Sequence, residues 1–224
     1  MLKISDFEVM GWEYAIRGMR NPMNSWEKSD SCTQGYVWCN EFCGYPVLGC
    51  DKESGLYLGP NDLGLMKCLR NAGTDHRKFM RMIVIYVDLT APLYWWKEFD
   101  TYKVGTVANS CSTMHKIAAK RFERDDFSHE HLMDGGNYIL NSTIDMLNEY
   151  RAQYLDSEDK KYWWQMIQLL PSSYNQKRTV MLNYEVLANI YKSRRNHKLD
   201  EWHTFCNWIE ELPYSEVITG YEED

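Results

Sequence analysis

The amino-acid sequence predicts an α+β fold: a small, mostly antiparallel sheet with helices packed on it, in one domain over residues 1–224. Three observations lead there. Segments with helical and with strand periodicity are interspersed along the chain. No internal repeat or low-complexity linker divides it. Its 224 residues, with nine Trp and sixteen Tyr, suffice for one well-buried core and are too rich in aromatic rings for a disordered chain.

The elements follow in order. Residues 2–9 (LKISDFEV) read as a strand. Residues 12–20 read as a helix, with Trp12, Ala15, Ile16 and Met19 at helical spacing and Asn21-Pro22 as its stop. From Asn24 to Pro60 the chain is rich in Gly, Cys and aromatic residues, an irregular insert with a hairpin suggested at Cys43-Gly44 and Leu48-Gly49. Asn61 or Asp62 is expected to cap a helix that runs to Ala72 and closes at Gly73. The run RMIVIYVDLT, β-branched and aromatic, predicts a buried strand, and Pro92 opens a helix through PLYWWKEFD. Tyr102 to Ser112 is small and polar, hence a loop. Helices over 141–155 and 158–169 form a hairpin that Pro171 ends. A strand (SYNQKRTVML) and helices over 184–195 and 199–211 complete the chain, with Pro213 beyond the last.

Charge and cysteine usage exclude several classes. A net charge of −7 supplies no basic surface to exchange for phosphate counterions, so no nucleic-acid polymer is expected as a partner. The longest apolar stretch, Met82 to Val87, is far too short to span a bilayer, and the N-terminus MLKISDFEVM carries acids unlike a signal peptide. Seven scattered cysteines fit free thiols, and the expected location is cytoplasmic. Cys32, Cys39, Cys43 and Cys50 are spaced too widely for a zinc knuckle, so no metal is expected. P-loop, GxGxxG and G-x-S-x-G signatures are missing from the sequence.

Three segments carry residues suited to chemistry. The loop Tyr102-Lys-Val-Gly-Thr-Val-Ala-Asn-Ser-Cys-Ser112 offers a cation, hydroxyls and backbone N–H groups to a phosphate or base edge; its other reading is an ordinary loop whose Ser and Thr cap helices. Within it Cys111 is a candidate nucleophile with His115 four residues on, or an inert thiol. Asp75-His76-Arg77-Lys78 suits an anionic cofactor or an ordinary charged junction. Arg194-Arg195-Asn196-His197-Lys198 suits a phosphate clamp or favourable charge at a helix C-terminus. His129-Glu130-His131 lacks the spacing of a zinc-hydrolase motif and reads as structural, as do Trp95-Trp96 and Trp163-Trp164.

From Gly73 to Lys116 the order of features resembles the flavin-dependent thymidylate synthase family. A residue near His76, a strand, Ala91-Pro92, an aromatic helix and a loop containing Asn109 and Ser112 follow one another as in its signature region. There the family carries Arg-His-Arg, two residues, Ser, one residue, Asn-Glu, one residue, Ser, one residue, Arg-Tyr. This chain reads Thr101-Tyr102-Lys103, Val104-Gly105, Thr106, Asn109-Ser110, Ser112, Met114-His115, with one extra residue around Val107-Ala108. Leu170-Pro171, a strand, Asn183, Leu187 and Arg194 fall at the spacing of the family's C-terminal half. The resemblance covers most of the chain outside the insert.

It implies a homotetramer that binds flavin adenine dinucleotide (FAD) and reductively methylates deoxyuridylate with methylenetetrahydrofolate and a nicotinamide. Carried over by position, Ser112 and Arg194 are the catalytic candidates. His76, Tyr102, Lys103, Asn183 and Arg194 would lie by the flavin, and Glu98, Asn109, Ser110 and Ser112 by the pyrimidine nucleotide. The chain also departs from the pattern. Thr101, Tyr102, Lys103 and Met114 replace Arg, His, Arg and Arg; Ser110 replaces an acid, and Glu185 stands where the family has an arginine. Each lost charge-assisted hydrogen bond removes about 1.5–3 kcal/mol of phosphate binding.

Overall fold

The computed structural model describes residues 1–33 and 56–220. The suggested hairpin at 43–49, and with it Cys39, Cys43 and Cys50, lies outside those residues. Strands β1 (Lys3–Met10), β2 (Val84–Pro92), β3 (Val107–Ser110) and β4 (Asn175–Asn183) form one sheet in the order β1-β2-β4-β3, every neighbouring pair antiparallel. β2 and β4 pair along their whole length, from Val84 opposite Asn183 to Pro92 opposite Asn175. Along β2, Ile85, Val87, Leu89 and Ala91 are buried while Tyr86 is exposed, the two-residue period of a sheet covered on one face.

Helices cover that face. α1 (Trp12–Arg20) buries Trp12, Ala15, Ile16 and Met19, as their spacing predicts. α3 (Leu93–Phe99) follows α2 (Pro60–Asn71) and β2, and sends Trp95, Trp96 and Phe99 into the core. The residues of α7 (Tyr184–Arg194) from Tyr184 to Tyr191 are buried except Asn189, as expected of a helix enclosed by sheet and neighbours. α8 (Asp200–Glu210) adds Trp202, Phe205 and Ile209. A second, smaller core lies under the hairpin of α5 (Asp134–Ser157) and α6 (Lys160–Leu169), where Leu140, Ile144 and Leu147 meet Phe122, Phe127 and Met166.

Several elements differ from expectation. The segment expected to be loop holds β3, an edge strand exposed at all four residues and so without the apolar alternation that marks a strand. The same segment continues into the short helix α4 (Thr113–Lys116), and α9 (Glu216–Thr219) follows Pro213; helices of one turn leave no periodic signal. α5 begins at Asp134, before the expected start, because Gly135 and Gly136 mask it. The strand after residue 81 begins at Val84, preceded by a 3-10 helix at Arg77–Met82.

The cap of α2 is also supplied differently. Neither Asn61 nor Asp62 caps it; the Asp30 carboxylate accepts the Asn61 and Asp62 N–H groups at 2.8 and 3.0 Å. Asp62 instead turns inward, fully buried, and accepts from Arg20 Nε at 2.7 Å, Ser29 at 2.7 Å and Ser31 at 2.6 Å. Arg20 in turn donates to the Ser25 and Lys28 carbonyls. This buried pair ties α1 and α2 to the segment at 25–31. Burial opposes ionisation of Asp62, but the hydrogen bonds from Ser31, Ser29 and Arg20 outweigh it and hold the carboxyl below its ordinary value. Its stabilising effect is therefore complete above about pH 4 and is lost as pH falls through the lowered folded value. Asp62→Asn should cost about 3–5 kcal/mol at neutral pH. Urea denaturation at pH 7 and pH 3 checks this, with the variant losing less stability on acidification than the parent.

Candidate functional site

Site residues gather where the helix after β2 and the helix after β4 converge. Glu98, near the end of α3, accepts hydrogen bonds on one oxygen from Arg194 at 2.8 Å and from Trp202 Nε1 at 2.8 Å, with His197 Nε2 3.4 Å away. Arg194 also donates from Nε to the Tyr102 hydroxyl at 2.9 Å, and its guanidinium lies 4.8 Å from the Trp202 ring centroid. Four candidates from two stretches far apart in the sequence are thus joined: Glu98, Tyr102 and Arg194 from the motifs, and His197 from the basic segment. Trp202 completes the group without any signal in its local sequence.

The loop after Tyr102 is shaped by close approach. Gly105 has φ +77°, and a Cβ there would lie 2.9 Å from Asn183 Nδ2, so both backbone angle and space require glycine. Asn183 accepts the Val186 N–H at 3.0 Å and caps α7. A cleft of about 320 Å³ opens beside this loop, lined by Phe99, Asp100, Tyr102, Lys103, Thr106 and Ala108. Thr106 Oγ1 is buried with no hydrogen-bond partner among the described residues, and Lys103 is exposed at the rim.

A second cleft, about 230 Å³, opens past the other end of β3. Tyr174 and Phe122 give it an aromatic wall, and Lys116, Lys120 and Lys177 give it cations; Cys111 and Ser112 complete one side. Ser112 accepts the His115 N–H at 3.1 Å as the cap of α4, which leaves its own hydroxyl proton to donate. Lys120 pairs with Asp126 and Lys177 with Asp88 (2.7 Å), and each carboxylate raises its partner's pKa. Cys111 precedes α4 rather than sharing a helix face with His115, and its N–H donates to the Lys177 carbonyl at 2.9 Å.

The remaining candidates are placed as follows. The register sets Asn109 opposite Thr179 on the open face of the sheet and Ser110 opposite Arg178 on the other. His76 is exposed just before the 3-10 helix at Arg77–Met82. Glu185 is buried and accepts from Arg77 Nε at 3.1 Å and from Arg81. His129 Nδ1 donates to the Phe127 carbonyl two residues back, and His131 pairs with Asp200 at the start of α8. No group of three or more His, Cys, Asp or Glu positioned for a metal ion occurs among the described residues.

Breaking the Glu98 group should show its cohesion. Trp202→Phe removes one hydrogen bond to the Glu98 carboxylate and should cost about 1.5–3 kcal/mol, and Glu98→Ala, which takes the acceptor from both Arg194 and the Trp202 N–H, should cost at least as much. Urea unfolding of the two variants at neutral pH measures the difference.

No protein-family model matches the sequence, and no curated protein matches it. Solved structures do. The chain is similar to thymidylate synthase X (ThyX) from Helicobacter pylori with FAD and dUMP, at 13% identity over 98% of both chains and a TM-score of 0.67. Another structure of the flavin dependent synthase from Helicobacter pylori, complexed with FAD and dUMP, covers 99% of this chain and 100% of that one, at 14% identity and a TM-score of 0.64. The UMP/dUMP methylase PolB from Streptomyces cacaoi, bound with 5-Br dUMP, covers 99% and 95% at 14% identity and a TM-score of 0.56. At such identities the likeness speaks for architecture, end to end, and the chain has the α+β fold of the flavin-dependent thymidylate synthases.

Proposed function

We propose that this chain is a flavin-dependent enzyme that methylates a pyrimidine deoxynucleotide, deoxyuridylate-like to thymidylate-like, with methylenetetrahydrofolate as carbon donor and a nicotinamide as reductant. The observation that carries this reading is the pair of clefts flanking β3, in a fold that holds FAD with dUMP in the Helicobacter pylori protein. The nucleotide is assigned to the Ser112 cleft. Tyr174 and Phe122 offer its ring an apolar wall, Lys116 offers its phosphate positive charge beside Lys120 and Lys177, which are paired with Asp126 and Asp88, and Ser112 offers a hydroxyl proton to a ring carbonyl. Asn109 and Ser110 are assigned to the same ligand.

Flavin is assigned to the cleft beside Tyr102. The fit rests on Thr106 Oγ1, a buried hydroxyl without a partner among the described residues, and on Lys103 at the rim. These two would meet the polar edge of the ring system, with Tyr102 alongside; His76, Asn183 and Arg194 are assigned to the same ligand. Bound flavin would supply the reducing equivalents; the chain's own part is to orient both ligands and exclude water. We further assign the protein to the cytoplasm as a homotetramer. Exposed apolar residues support assembly: Tyr86, Met10 and Val107 along the sheet, Met133 just before α5, and Tyr138 and Ile139 on it.

A second reading is favoured by one specific observation. Arg194 already donates to Glu98 and Tyr102, and the Asn183 side-chain oxygen already accepts the Val186 N–H as the cap of α7. A protein that kept the fold for ligand binding or assembly alone would have such internally satisfied groups. The visible absorption spectrum of the freshly purified protein separates the two: a flavin band, or its appearance on adding FAD, is the expected result. A protein that stays colourless with added FAD supports the second reading. Light scattering should give a mass near four times the 26.6 kDa chain.

A further inference from the structure

β3 lies between the two clefts, yet all four of its residues are exposed and the chain leaves the sheet after Ser110. Two hydrogen bonds hold the next residue. The Cys111 N–H donates to the Lys177 carbonyl at 2.9 Å, and the Cys111 carbonyl accepts from Gln176 Nε2 at 2.9 Å. Ser112 follows on the wall of its cleft, so the bond from Gln176 helps to set where Ser112 stands.

Gln176 can make that bond in only one orientation of its amide. A primary amide carries an acceptor at one end and donors at the other, and either end could face Cys111. Arg178, on the same face of β4, makes the choice. Its Nε donates to Gln176 Oε1 at 3.0 Å. A guanidinium has no acceptor to offer, so the amide oxygen must face Arg178 and the NH2 must face the Cys111 carbonyl. Gln176 is buried, and its own carbonyl accepts Trp96 Nε1 at 3.0 Å, which ties its backbone to α3.

The other arm of Arg178 reaches the second cleft. Nη1 donates to Asp100 Oδ1 at 2.7 Å, and Asp100 lies on the wall of the cleft beside Tyr102. The guanidinium sits 4.1 Å from the Trp96 ring centroid, a cation–π contact, and the side chain is largely buried. Asp100 is half-exposed, so without that partner it would present an uncompensated negative charge to an anionic ligand in the cleft.

We propose that Arg178 is a positioning residue shared by the two clefts: through Gln176 it holds the Cys111 and Ser112 edge of one, and through Asp100 it neutralises the wall of the other. The bracket of Asp100, Arg178, Gln176 and Cys111 stands on its hydrogen bonds; that its two ends serve flavin and a pyrimidine nucleotide rests on the function proposed above.

The test compares the full chain with Arg178→Met, Gln176→Met and the double variant Arg178→Met/Asp100→Asn, by peptide-resolved hydrogen exchange and by calorimetric titration with dUMP and FAD. Exchange across residues 107–115 should quicken about fivefold in all three variants, the worth of one neutral hydrogen bond, with α7 unchanged. dUMP should bind all three about fivefold more weakly. FAD should bind Gln176→Met as it binds the parent and Arg178→Met about tenfold more weakly, because of the unpaired carboxylate, and should recover in the double variant. A general loss of stability would not give that recovery. Unchanged exchange in Gln176→Met and Arg178→Met, or FAD affinity that stays low on adding Asp100→Asn, would overturn the proposal. A parent that binds neither dUMP nor FAD sinks the proposed function, and the exchange rates then decide the bracket by themselves. Should Arg178→Met not fold, Gln176→Met decides by the same exchange, and an unaltered rate overturns the proposal.

Discussion

The pairing of β2 with β4 is the constraint on which the rest depends. The two strands run antiparallel along their whole length, so the helices that follow them start from opposite ends of the sheet. Nine paired residues span about 27 Å. On the covered face α3 reaches Glu98 after about 8 Å and α7 reaches Arg194 after about 15 Å, at 1.5 Å per helical residue. The two advances nearly add up to the strand length. Glu98 and Arg194 therefore meet under the sheet, and the 2.8 Å ion pair between them follows from strand and helix lengths.

Packing keeps that meeting point dry on one side. Trp95 lies 5.0 Å from Trp96 and 4.8 Å from Trp202, centroid to centroid, and all three are buried. Such contacts bury large apolar area and favour tilted or edge-on rings. The cluster fixes α8 against α3 and so delivers the Trp202 N–H to Glu98. An aromatic core thus sets the position of a polar group, which links stability to the site.

Charge was redistributed rather than simply removed. Where the related family carries an arginine this chain has Glu185, yet Arg77 and Arg81 come from the preceding 3-10 helix to meet it. The Ser112 cleft, similarly, draws its cations from Lys116, Lys120 and Lys177, which lie outside the motif positions. Lysine is a point charge without the bidentate fork, so it tolerates a looser ligand geometry.

Much was legible in the sequence because it depends on local periodicity and punctuation. α1, α7 and α8 announce themselves by apolar spacing and by Asn-Pro, Asn183 and Pro213 at their ends; β2 does so by its β-branched run. The order of these elements, with the spacing of Asn109, Ser112, Asn183 and Arg194, carried the resemblance in fold. β3 was not legible: a four-residue edge strand exposed throughout has no burial pattern to read. Nor was the remote cap of α2 by Asp30, since a cap supplied from thirty residues away leaves no mark at the helix start. Which partners the charged side chains take was decided only by the tertiary structure. Glu98 with Trp202, Arg194 with Tyr102, Asp62 with Arg20 and Glu185 with Arg81 are each set by how strands and helices return across the sheet, because charge–charge and hydrogen-bond contacts depend on distance in space and not along the chain.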